Sequence, residues 1–189
     1  MAATRKLVKH TRASVTKRAK TEYRALDAIV RRLRPADFGR YAMRDGAPVR
    51  WTVKEVIAHI TAWKLRDVRR LSHDRGPVRA EEAPYGGDVD SVNARIHARA
   101  RRTSARTVVA EHRAAHRAAL KALRSAPAEH FAKEHGASWP YDLVGHVAAH
   151  RRLHLDRLVA AERAARATPA RSSSRSRRVA SARRASRTR

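Results

Sequence analysis

Eleven histidines are the residues of this chain with the most chemistry to offer. His146, His150 and His154 follow one another at steps of four, a spacing that sets side chains above one another on one face of a helix. At about 100° per residue, His150 and His154 straddle the direction set by Leu143, inside a face completed by Val147 and Leu158. His146 falls toward the edge of that face. Two imidazoles at i and i+4 present nitrogen lone pairs side by side, a geometry that divalent metals use. His59 stands just outside an apolar stripe, beside Val56 and Trp63, and a facing helix of a bundle can deliver it as a third nitrogen. Three neutral imidazoles at His59, His150 and His154 would leave a position open for water or substrate. A competing reading exists. A histidine at the rim of an apolar face is commonly an amphipathic residue with one hydrogen bond satisfied, and His112 and His116 form a further pair four apart. Spacing alone leaves both readings open.

Other chemistries are excluded more sharply. The chain has no cysteine, which removes disulfides, thiolate nucleophiles and cysteine-based zinc or haem sites, and is compatible with a reducing cytoplasm. It contains no GxSxG elbow, no GxxxxGK phosphate loop and no GxGxxG fingerprint. Asp88 and Asp90 look like the opening of a calcium loop, but the glycine and closing glutamate such a loop needs are missing. No apolar run approaches the roughly 18 residues of a membrane span, and the start of the chain lacks the apolar stretch of a secretory signal.

The elements that must position these histidines are helical. Alanine, arginine and leucine are good helix formers, while glycine and proline number only seven each. Residues 12–34 carry Val15, Ala19, Tyr23, Leu26, Val30 and Leu33 on one face, with Pro35 as the stop. Thr52 and Glu55 form a capping-box pattern that opens a second helix, whose stripe is Val53, Val56, Ile57, Ile60, Val68 and Leu71 and which ends near Ser72. Residues 73–87 hold Gly76, Pro77, Pro84, Gly86 and Gly87, and so predict a long crossover connection. A shorter helical piece comes next, near 88–101. A third main helix over 104–125 begins at Ser104, and a last one over 140–167 has Ser138 as its cap and Pro140 in its first turn. The expected fold is an all-α four-helix bundle over residues 12–167.

The net charge of +27 is concentrated at the ends. Residues 1–20 hold seven Lys/Arg and no acid, and residues 168–189 hold eight arginines and no acid. The first eleven residues read as a basic, flexible arm. From Thr168 onward, Ser, Arg and Ala cannot bury enough apolar surface to offset ordering, which predicts a disordered Arg/Ser-rich tail. Such ends suit nonspecific contact with nucleic acid phosphates, or serve only to solubilise. The basic stretches lack interleaved aromatics and helix-turn-helix spacing, which argues against sequence-specific readout. A homodimer is left open.

The segment Trp51-Thr-Val-Lys-Glu-Val-Ile-Ala-His59-Ile-Thr-Ala-Trp63 resembles the second-helix signature of the DinB/YfiT-like superfamily, in particular its ClbS/DfsB-like branch. Trp139, with the later run His150-Arg-Arg-Leu-His154, resembles the final-helix HxxxH of that group, and Asn93 matches an asparagine that recurs ahead of its third main helix. The resemblance spans roughly residues 12–160. It implies a four-helix bundle with a long crossover and a divalent metal (Zn, Ni or Fe) held by His59, His150 and His154. It also implies a metal-dependent hydrolase or thiol transferase acting on a reactive small molecule, as in self-protection against a genotoxin. Two departures stand out. Lys64 replaces an acidic residue that often comes after the second tryptophan, and Arg151 replaces a tyrosine after the first histidine of the final pair. A cation beside the metal would oppose binding unless it points away.

Overall fold

The computed structural model describes residues 10–42, 50–72, 89–128, 131 and 141–156. They form an all-α domain: five helices, with no strand among the described residues. These are α1 (Arg12–Val30), α2 (Val53–Ser72), α3 (Val89–Arg102), α4 (Ala105–Ser125) and α5 (Tyr141–His150), and α5 continues into a π-helical turn over Arg151–Leu155. The expected crossover at 73–87, the Ser138 and Pro140 start signals, the far end of the last helix and the Arg/Ser-rich tail lie outside the described residues.

Local chemistry explains most boundaries. Thr11 caps α1, with the Ser14 N–H donating to Thr11 Oγ1 at 3.0 Å and the Thr11 N–H donating back to Ser14 Oγ at 3.0 Å. The predicted box at α2 forms as well. The Glu55 N–H donates to Thr52 Oγ1 at 3.3 Å and the Thr52 N–H to Glu55 Oε2 at 2.7 Å. Ser104 caps α4 by accepting from the Thr107 N–H at 3.1 Å. The first helix stops at Val30 rather than continuing to residue 34. Pro35 would clash with the carbonyl of Arg31 in a continuing helix and biases Arg34 toward extended backbone. The chain therefore tightens, with the Arg32 N–H bonding Ile29 O at 2.9 Å, and Pro35–Gly39 then forms a 3-10 turn.

The core is built on α2. It packs against α3, α4 and α5, and α1 packs on α4 and α5. One apolar cluster joins Val15 and Ala19 of α1, Leu71 of α2, Ala119 and Leu123 of α4, and Leu143 and Val144 of α5. Leucines and valines at this depth each contribute roughly 1.5–3 kcal/mol of transfer free energy. A second cluster holds Trp63 against Val92 and Ile96 of α3. α1 and α4 meet end to end at one corner, where an Arg12 Nη2–H donates to the Ala126 carbonyl at 2.6 Å. A short antiparallel bridge between Tyr41 and Thr52 fixes the entry to α2 and so sets the position of Trp51. Together these contacts hold α2 and α5 face to face, which decides where the histidines go.

Candidate metal centre

α2 and α5 bring His59, His146 and His150 together, with one ring nitrogen from each lying within 4.8 Å of the others. His59 Nε2 and His146 Nε2 are 2.7 Å apart. Ring centroids are 4.7 Å from His59 to His146, 4.7 Å from His59 to His150 and 4.6 Å from His146 to His150. His154 comes next along the helix. Its centroid is 5.3 Å from that of His150 and its ring is half-buried.

His59 and His150 are common to the set expected from the sequence and to the set that converges. His146 is the residue that helical spacing puts at the edge, and it is buried, with 8% of its surface exposed. His154 stands outside the converging set for a geometric reason. Between His150 and His154 the helix widens into its π turn, with the Asp156 N–H reaching back to Arg151 O. A π turn changes the angular phase that a uniform 100° step assumes, so the direction of His154 cannot be read from the spacing. His146 and His150 precede that turn and keep α-helical register.

Two tryptophans wall the cluster. The Trp51 ring meets His59 edge-on at 4.5 Å, and the Trp63 ring lies 5.8 Å from His146, nearly parallel. The Trp63 indole N–H donates to Asn93 Oδ1 at 3.1 Å, which fixes its plane from α3. On the other side of Trp51, His97 stacks at 5.7 Å and places Nε2 3.3 Å from Glu55 Oε2. Glu55 thus serves both as the α2 cap and as the partner of His97. The spacing of Glu55 to Thr52 reveals only the first role, because His97 arrives from a separate helix.

Burial sets the protonation state. Desolvation, then the neighbouring imidazoles His146, His150 and His154, pushes His59 down to about 2. Desolvation, then His146 and His154, pushes His150 down to about 3. Both are therefore neutral near pH 7, the form that donates a lone pair to a metal. The donor set fits a divalent ion: three imidazole nitrogens from two rigid helices in a largely buried setting. Nδ1 of His59 and Nδ1 of His150 have no hydrogen-bond partner among the described residues. At His59, whose Nε2 faces His146, this departs from the usual pattern, in which the second nitrogen of a ligand is held by an acceptor.

A family model described as the DinB superfamily matches residues 18–157, most of the chain. The chain belongs to the DinB superfamily. No curated protein matches it. Among solved structures it is similar in fold to an uncharacterised protein from Escherichia coli UTI89, with a TM-score of 0.60 at 14% identity. That similarity covers 77% of this chain and 92% of the other.

Within this DinB-superfamily domain, the two departures seen in the sequence have structural explanations. Lys64 is buried, but its charge acts on His112 and His116, second only to desolvation. The shifts of His59 and His150 come from burial and other imidazoles alone. Lys64 is therefore turned away from the metal centre, five residues and about 140° around α2 from His59. Arg151 pairs with Glu22 at 3.1 Å and Asp156 at 2.8 Å, tying the π turn to α1. No helix among the described residues is long and apolar enough to cross a membrane.

Proposed function

We propose that this protein is a metal-dependent enzyme of the ClbS/DfsB-like kind, which opens or transfers a reactive small electrophile by hydrolysis or by attack of a bound thiol. In this reading α1, α2, α4 and α5 act as a four-helix bundle, and the divalent ion is Zn, Ni or Fe, all of which accept imidazole. The observation that carries the reading is the convergence of His59, His146 and His150. When bound, such an ion supplies Lewis-acid polarisation and a water of lowered pKa.

The chain's own residues do the rest. His59, His146 and His150 orient the donor nitrogens without having to shed a proton in the case of His59 and His150, because burial already keeps these two neutral. Trp51 and Trp63 exclude water from two sides and offer apolar surface to a substrate. Glu55 and His97 form a pair that can hold or pass a proton at His97 Nε2, with His97 partly exposed behind Trp51. His154 is the alternative third ligand. Its ring adjoins His150 and it is among the charges that lower His59. Metal content of His146→Ala compared with His154→Ala chooses between the two.

The functional test is turnover of a strained-ring electrophile by the metal-loaded full chain, with and without a small thiol. Turnover that disappears on chelation and in His59→Ala is the expected result. Turnover indifferent to both would remove the enzyme reading. The rival, a non-catalytic bundle that holds nucleic acid through its basic ends, predicts instead that deleting residues 168–189 abolishes salt-sensitive DNA binding.

A further inference from the structure

The outer surface of α1 and α4 uses none of the residues of the metal centre and is basic along its length. Arg106, Arg113, Arg117, Lys121 and Arg124 are all exposed. At about 100° per residue they fall within roughly an 80° arc of α4. Lys17, Lys20, Arg24 and Arg31 are exposed as well, within roughly a 60° arc of α1. Both arcs lie opposite the buried stripes, which are Val15, Ala19 and Leu26 on α1 and Val108, Ala115 and Ala122 on α4.

The two rows run side by side. Asp27 Oδ2 lies 2.6 Å from Arg31 Nε and its Oδ1 3.5 Å from Arg113 Nε, so one carboxylate joins the rows near the end of α1. The Tyr23 and His116 rings stack at 3.7 Å further along. At the start of α1, the Arg12 side chain reaches the Ala126 carbonyl. The helices are therefore antiparallel neighbours, and their shared face is about 27 Å long from Arg106 to Arg124.

A helix face that only solubilises the chain mixes its signs, because like charges three or four residues apart repel. Here the neighbours are of one sign. Arg113, Arg117 and Lys121 follow at steps of four, and Lys17, Lys20 and Arg24 at steps of three and four. The acids of these helices are engaged elsewhere: Glu22 with Arg151, Glu111 with Arg99, and Asp27 buried between its two arginines. Apart from Arg31 and Arg113, no cation of either row has an ion pair among the described residues. An extended polyanion relieves such repulsion. A nucleic acid duplex carries one charge per about 1.7 Å of its axis, enough to supply phosphates along the whole face. A membrane-inserting face would instead carry apolar side chains among its cations. The exposed large hydrophobics Tyr41, Val89 and Leu153 stand on neither helix.

We propose that the α1–α4 face is a binding surface for the phosphate backbone of double-stranded nucleic acid, without sequence readout. The cations of both rows lie along the backbone and displace its counterions. This contact is made by the folded domain, apart from the basic ends of the chain, and is independent of the metal centre.

The test is fluorescence anisotropy of a labelled DNA duplex of about 20 base pairs, titrated with the full chain over a range of salt. Arg117→Gln combined with Lys121→Gln is expected to weaken binding by about tenfold or more. It should also shrink the slope of log affinity against log salt by about 1.8, at 0.9 per phosphate contact. Arg95→Gln combined with Arg101→Gln removes the same charge from exposed positions of α3, and should weaken binding by less than about threefold. All four side chains are exposed, so neither pair of substitutions touches the core. Equal losses in the two variants mean that net charge alone draws the duplex, and overturn the proposal. So does a wild-type chain that leaves the duplex unbound, whether or not it binds phosphatidylserine vesicles.

Discussion

The two histidine pairs of this chain, 146/150 on α5 and 112/116 on α4, have the same spacing and opposite fates. Each is packed against α2. Opposite the first, α2 presents His59, and three rings converge where burial and imidazoles alone set the protonation of His59. Opposite the second, α2 presents Lys64, whose charge lowers both imidazoles and deters any metal. The identity of a helical histidine pair is thus decided by the residue that the facing helix places against it. α2 can serve both because it is packed on more than one side, by α4 and by α5.

The largest effect that could break this contrast is on metal affinity. His59→Ala or His150→Ala removes a donor from the cluster and is expected to weaken metal binding by more than about a hundredfold, beyond what losing an outer partner does. His112→Ala leaves metal content unchanged. Equal loss in both sets, measured by competition with a chromophoric chelator, would erase the difference between the regions.

Next in size is the shared scaffold. Leu123 is fully buried in the cluster that joins α1, α2, α4 and α5. Leu123→Ala should cost about 2–5 kcal/mol in denaturant unfolding, with metal bound per folded chain unaltered. A smaller cost means that the site is held by local contacts instead.

Proton linkage separates the regions by pH. His59, His150, His112 and His116 have folded values lowered to about 2, 3, 3 and 4, below an unfolded value of about 6.5. The unfolded chain therefore binds protons first. Stability is full above about pH 6.5 and falls as pH drops toward 4, by up to roughly 1.4 kcal/mol per pH unit for each such group. Metal should deepen that acid loss through the first set only. Lys64 behaves similarly at higher pH. Its folded value, lowered by burial to about 8, leaves a penalty that is relieved as pH rises from about 8 to 10.5. Lys64→Met should abolish that rise, as read from urea unfolding across pH.

Smallest is the entry to α2. Thr52→Ala should cost about 1 kcal/mol by removing one cap bond. It should disturb Trp51 and His59 before it disturbs Lys64, further along the same helix. Trp fluorescence quenching by bound metal provides the readout.

The helices themselves are legible in the sequence because their signals are local. Thr52 with Glu55, Ser104, and the stripes on α1 and α2 are statements about neighbours within a turn or two. The end of α1 is harder to place, because Leu33 continues the period while Pro35 ends the backbone earlier. His59 and His150 are legible as a facing pair. The place of His154 is not, because one widened turn at Arg151–Leu155 alters the phase of the residues beyond His150 and carries no periodic mark. His97 beside Glu55, and Lys64 near His112 and Tyr23, join residues dozens of positions apart. No spacing rule reaches those contacts, and they appear only once α3 and α4 have docked on α2.

The most direct measurement is elemental analysis of the full chain purified without a histidine tag, alongside His59→Ala and His112→Ala. The expected result is about one divalent transition-metal ion per wild-type and per His112→Ala chain, and next to none in His59→Ala. A wild-type chain that holds no metal, and takes up none when zinc, nickel or iron(II) is added, would contradict the account.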